Sequence, residues 1–433
     1  MSIQPFSNSW VRTSLFGLLL AVILPGNVKA QLVVDCTGAT PGTFPSINAA
    51  LPSAAAGTFI IILAGPCNES VQLSGYKNLF LGTYYGFPNV AINGGINVTQ
   101  SQGVYLHGLD ITNAWGDGIN VQQSQALVLD ACTANGNAGS GLNLGSASEA
   151  QIIAPASFDG NNGNGVRLFG NAYVEADSWN GQSVDVSNNH GSGVWSSQSS
   201  FTTLGRTSIA NNGGFGVEFY GGTKGQFGSL SGPNSIIGNQ QGGVSLQENA
   251  EISLFNLGSQ TYIQNNGPVG VTAGFGSQVT LYDQVDVSGH SGPAVDLYAN
   301  SQARLFGANN IHNNGVAGDP RSAAIRVDGN SEAFLRGGTV TQNIGPAILV
   351  LVSSSVDFTG VSFSSNSGGI VVCDSSAYML SDLANGTPNA PAVNCSAPHA
   401  LGNRAGMKLQ PMVPDISALK ALQAKMKAKA TKH

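Results

Sequence analysis

Three stretches decide the fold: NNGNGVRLF at residues 161–169, NNHGSGVWS at 188–196 and NNGGFGVEF at 211–219. Each is an Asn-rich turn, then glycine, then a short strand of alternating apolar residues. Toward the N-terminus the pattern continues as NAWGDGINV (113–121) and NGNAGSGLNL (135–144). Toward the C-terminus it runs on as NQQGGVSL (239–246), NNGPVGVTA (265–273), GHSGPAVDL (289–297), RSAAIRV (321–327), NIGPAILV (343–350) and NSGGIVV (366–372). The first strand residues are Ile119, Leu142, Val166, Val194, Val217, Val244, Val271, Val295, Ile325, Ile348 and Ile370. They recur at intervals of roughly 22 to 30 residues, the range of a solenoid repeat.

Second and third strands can be read inside each interval, for example Ala126–Leu129, Ala250–Leu254 and Gln278–Leu281. Three short strands and three turns make one coil of an all-β, single-stranded parallel β-helix. Asn suits the turns because it tolerates a left-handed backbone and because stacked Asn side chains can bond to the same residue one rung away. The extra residues 316–321 before Ile325 should form a protruding loop.

Composition agrees. Of 433 residues, 42% are hydrophobic, enough for a large core, yet only 9% are charged and 58 are glycine, which argues against helical bundles. The net charge of -6 is uneven, because Lys408, Lys420, Lys425, Lys427, Lys429 and Lys432 crowd the C-terminus. The body is acidic and poor in lysine, which excludes nucleic acid as its partner.

Four segments follow. Residues 1–30 read as a signal peptide, with Arg12 in the lead, an apolar run from Leu15 to Leu24 and cleavage near Ala30; that run is too short to span a bilayer, and no later segment could. The mature chain is therefore expected to be secreted or periplasmic. Residues 31–98 hold an N-terminal cap and the first coils, with a short amphipathic helix over Phe44–Leu51 capped by Thr43 or Ser46. Residues 99–398 are the repeats. Residues 399–433 form a Lys-rich tail in which Asp415 to Lys429 has helical apolar spacing and could cap the last coil, lie on an anionic surface or stay mobile. Export permits disulfides, and Cys36 with Cys67 and Cys373 with Cys395 are the expected pairs; Cys132 is read as a buried thiol, and no metal site is expected.

The opening TFPSINAALPSAAAGTFIIILAGPCNESV and the Asn-Asn-x-Gly-x-Gly-Val rungs resemble the right-handed β-helix, or pectin-lyase-like, superfamily over about residues 35–395. The resemblance implies a right-handed coil but no single activity, since the superfamily includes lyases, hydrolases, esterases, epimerases, tailspikes and adhesins. Asn113-Ala-Trp-Gly-Asp117-Gly is similar to a polygalacturonase motif, yet the paired Asp of the next rung is replaced by Gly139-Ser140-Gly141, and Asn189-His190-Gly191 only loosely matches that family's Gly-His-Gly. Asp117 and His190 are accordingly read as turn residues. Asp110, Asp130, Asp159, Asp177, Asp185 and Asp283 fall singly, without the cluster that a lyase needs for Ca²⁺. No cofactor is expected, Ca²⁺ being implied only for a lyase-like enzyme.

Columns are more informative. If Ile119 and its equivalents point inward, the residues after them point out, which places Arg167, Phe169, Trp195, Glu218 and Tyr220 on three adjacent rungs of one face. Flat aromatic rings flanked by planar polar groups suit a polysaccharide or cell-surface glycan. The plain alternative is cross-strand dressing, with Trp195 packed between a paired Arg167 and Glu218. One rung-to-rung ion pair, Asp296 with Arg326, is also expected. The sequence favours a secreted, non-catalytic carbohydrate-binding protein or surface scaffold over a polysaccharide lyase or glycoside hydrolase with an unrecognised site. It leaves the oligomeric state open.

Overall fold

The computed structural model describes residues 30–177, 182–228, 232–255, 259–319, 322–381 and 393–395. The chain winds through three parallel sheets, visiting sheets C, A and B in turn from Val71 onward; among the described residues they hold 14, 15 and 12 strands respectively. It is a right-handed parallel β-helix.

Residues one repeat apart lie opposite one another. Val166 pairs with Val194, Val194 with Val217 and Val217 with Val244, all at most 2% exposed. Every strand sends alternate side chains into the shared core, so the hydrophobic columns line the coil from end to end. The register corrects the last rung of the sequence alignment. Ile348 pairs with Val371, not Ile370, so Val371 and Cys373 continue inward columns and do not belong to the outer face. Three successive apolar residues, Ile370 to Val372, had hidden the phase.

The turn between sheets B and C explains the Asn doublet. Its first residue takes the left-handed backbone: Asn188, Asn211, Asn265 and Asn313 have φ of 57°, 57°, 51° and 56°, and Gly136, Gly160 and Gly238 serve elsewhere. The second residue builds a buried ladder. Asn137, Asn161, Asn189, Asn212 and Asn239 each donate Nδ2 to the Oδ1 of the next, ending on Asn266, at 2.8–3.0 Å. Each also donates to a backbone carbonyl in or just after a sheet B strand, so the buried amide N–H groups are satisfied. The glycine before each sheet C strand makes room for it; a Cβ on Gly193 would lie 2.9 Å from Asn212 Nδ2 and 2.4 Å from Ile209. The ladder resumes from Asn314 through Asn343 to Asn366, but the intervening place is taken by His290.

At the N-terminal end the expected helix is shorter than its sequence pattern, Ile47–Ala50 followed by a 3₁₀ turn at Leu51–Ser53. Ser46, not Thr43, caps it, and the Glu69 carboxylate accepts from the backbone N–H groups of Ile47 and Asn48 at 2.6 and 2.9 Å. Cys36 and Cys67 form a disulfide that ties this cap to the first coil. Cys373 is disulfide-bonded, and the backbone register sets it opposite Cys395. Cys132 is a free, fully buried thiol, pushed up to about 12 by burial. Val316 projects from the extra loop at 47% exposure. The expected signal peptide, up to residue 29, and the Lys-rich tail lie outside the described residues.

Candidate functional site

The outer face of sheet C changes character along its length. In its first rungs the outward column is a row of amides, Asn97, Asn120 and Asn143, each bonded to its neighbour at 3.1 Å. Asn143 also donates to Asp117 Oδ2 at 2.8 Å, and Asp117 Oδ1 accepts from the Ser140 N–H at 2.7 Å. Asp117 is thus a turn residue, as its sequence context implied. His190, likewise, sits in the turn with Nδ1 2.9 Å from Asn162 Oδ1.

The next rung brings Arg167, and the column continues through Trp195 and Glu218. The five residues singled out by column do come together. The Arg167 guanidinium carbon lies 5.3 Å from the ring centroids of both Phe169 and Trp195, a double cation–π contact. Trp195 and Tyr220 are tilted neighbours at 6.3 Å. The Phe169 ring lies back over Gly145, where any Cβ would meet it at 2.3 Å. Tyr298 does the same over Gly274 five rungs on, and its hydroxyl bonds to Gln247.

The expected Arg167–Glu218 pairing is not made. Glu218 is satisfied from both sides, by the Tyr220 hydroxyl at 2.9 Å and by the Ser192 hydroxyl. Burial and the Glu218 carboxylate together push the Tyr220 phenol up to about 12. Among the described residues Arg167 has its ring contacts and no hydrogen-bond acceptor, whereas Arg326 is bound bidentately to Asp296 at 2.7 and 2.9 Å, as the sequence suggested. The Arg167 fork is therefore oriented, half-buried and open to an external acceptor.

A second constellation lies on sheet A, and reading the columns of sheet C alone missed it. Gly82, His107 and Asp130 share one outward column there, and Phe80 and Tyr105 share the one beside it. Asp130, read from sequence as an isolated acid, is the hub: its Oδ2 accepts from the Tyr105 hydroxyl at 2.7 Å and lies 3.0 Å from His107 Nδ1. The Tyr85 hydroxyl is 2.9 Å from that of Tyr105, and the Tyr85 ring covers His107 with centroids 4.0 Å apart. Phe59, Phe80 and Tyr105 stack as a ladder at 5.4 and 5.6 Å. The sequence signal was present in the aligned strands Tyr105-Leu-His107 and Val128-Leu-Asp130.

These features define the chain as a right-handed parallel β-helix protein. The family described as "Right handed beta helix region" matches residues 94–256. Among solved structures, the chain is similar to the A-module of the mannuronan C-5 epimerase AlgE4 from Azotobacter vinelandii, at 12% identity and a TM-score of 0.39, covering 76% of this chain and 91% of that one. It is also similar to the Agl-KA catalytic domain, at 15% identity and a TM-score of 0.42, covering 83% and 69%. No curated protein matches the sequence.

Proposed function

We propose that the protein is exported and binds an acidic polysaccharide, without cleaving it, along the outer face of sheet C. The observation that carries this reading is Arg167: a guanidinium wedged between Phe169 and Trp195 whose donors find no acceptor among the described residues. Such a group can receive a uronate carboxylate with both prongs, while the neighbouring rings take the C–H face of a sugar. Rungs repeat at roughly 4.8 Å, close to the length of one sugar unit in an extended chain, so a polysaccharide along the helix axis meets a new rung with each residue. Tyr298, lying flat over Gly274, extends the face in that direction. Glu218, with both oxygens occupied by hydroxyls, serves as an orienting group here and not as a general acid or base.

Export is supported by the leader-like residues 1–30 and by the Cys36–Cys67 disulfide; no described helix is long and apolar enough to cross a membrane.

The test is binding of the mature chain to polygalacturonate and alginate by titration calorimetry, with product analysis of the same mixtures. Arg167→Gln should weaken binding by about ten- to a hundredfold, the loss of charge-assisted hydrogen bonds. Unsaturated or new reducing ends appearing in the mixtures would overturn the non-catalytic reading. Undiminished binding by Arg167→Gln would overturn the site.

A further inference from the structure

The hydrogen atoms of the sheet A cluster can be assigned. Tyr105 has one hydroxyl hydrogen, and it goes to Asp130 Oδ2, because a carboxylate oxygen only accepts. The Tyr85–Tyr105 contact is therefore donated by Tyr85. In the neutral ring, His107 Nδ1, which faces the same carboxylate oxygen, carries the proton, and Nε2 is then a lone pair. Burial pushes the Tyr85 phenol up to about 12 and raises Tyr105 further, so both keep their hydrogens.

Every hydrogen in the network points inward to Asp130. What remains for solvent is a set of acceptors: Tyr85 Oη, His107 Nε2 and Asp130 Oδ1. Tyr85 is 37% exposed and His107 7%, and among the described residues neither His107 Nε2 nor Asp130 Oδ1 has a protein donor. Beside them Tyr84 and Phe87 stand 42% and 66% exposed, with ring centroids 5.8 Å apart. Charge completes the picture, because the only lysine or arginine among residues 30–166 is Lys77. A solenoid rung touches only its neighbours, so the arginines of later repeats do not reach this face. An anion placed here would meet the Asp130 carboxylate with no arginine beside it.

We infer that this face is a second, separate binding site, for an uncharged and hydroxyl-rich ligand: a neutral sugar whose hydroxyls donate to Tyr85, His107 and Asp130 and whose ring packs on Tyr84 and Phe87. Its ligand preference is the opposite of that at Arg167, and it stands whether or not that site binds acidic chains.

The experiment titrates the full mature chain with neutral xylo-, manno- and cello-oligosaccharides by calorimetry. At least one should bind, and Tyr85→Phe, which keeps the ring and removes the acceptor, should weaken it about tenfold, as should Phe87→Ala at a site with no core contacts. Arg167→Gln should leave neutral binding unchanged. The inference falls if no neutral oligosaccharide binds, if Tyr85→Phe and Phe87→Ala bind as well as the parent, or if Arg167→Gln abolishes the binding. Unchanged thermal midpoints in the two sheet A variants separate loss of a site from loss of the fold.

Discussion

Inside the coil, the rungs on either side of Arg167 are built alike: the same apolar columns run through both, and the amide ladder from Asn137 to Asn266 crosses the boundary. Outside, they part. Residues 30–166 carry seven carboxylates and one cation, and their sheet C surface is a row of amides bonded to one another. From Arg167 onward cations appear on the strands, and most that can be followed are spoken for: Lys224 by Glu251, Arg326 by Asp296 and Arg336 by Asp357. Arg167 sits at the boundary and is held by rings instead. A repetitive core leaves the outer columns free to differ rung by rung, so one scaffold can present two surfaces of different chemistry.

That contrast can be attacked directly. Trp195→Ala removes one side of the Arg167 sandwich and should cost about tenfold in acidic-glycan affinity through lost cation–π and stacking contacts; unchanged affinity would mean the ring only dresses the sheet. Gly145→Ala acts from the other side of the boundary. Its new Cβ must displace the Phe169 ring, and we expect about a threefold loss of the same affinity with the charge untouched, measured in the same titration. Smallest is Asp296→Asn, which breaks a partly buried pair remote from the sandwich. It should alter stability by about 1 kcal/mol in denaturant unfolding and leave both glycan affinities alone; a change in binding would show that the surface is electrostatically coupled along its length.

The fold was legible because one residue per strand, repeated eleven times, set the phase of everything else. Where the phase was ambiguous, at Ile370-Val-Val372, the reading slipped by one. The Arg167 group was legible for the same reason, since a column is a prediction of proximity. Its chemistry was not: whether Arg167 meets Glu218 or two rings depends on side-chain torsions, and Glu218 was claimed by Ser192, a turn residue outside the column. The sheet A cluster was invisible to a search of one sheet, because Tyr85 enters it from a loop and Asp130 from another rung.

His290 gives the amide ladder a break. Asn266 keeps its bond to the Ile236 carbonyl but has no following amide to reach, and both ring nitrogens of His290 face carbonyl oxygens, those of Asn266 and Ile263, at 3.3 and 3.0 Å. A neutral ring can donate to only one of them. Burial lowers the His290 pKa, so the unfolded chain takes up the proton first; stability linked to it is complete above the ordinary value of 6.5 and declines as the pH falls below that toward the lowered folded value. In a stack where each coil leans on the next, a weakened junction divides the molecule into two cooperative blocks. Acid should therefore release amide protons on the two sides of residue 290 at different rates in native-state hydrogen exchange, and His290→Asn, by splicing the ladder, should make them open together.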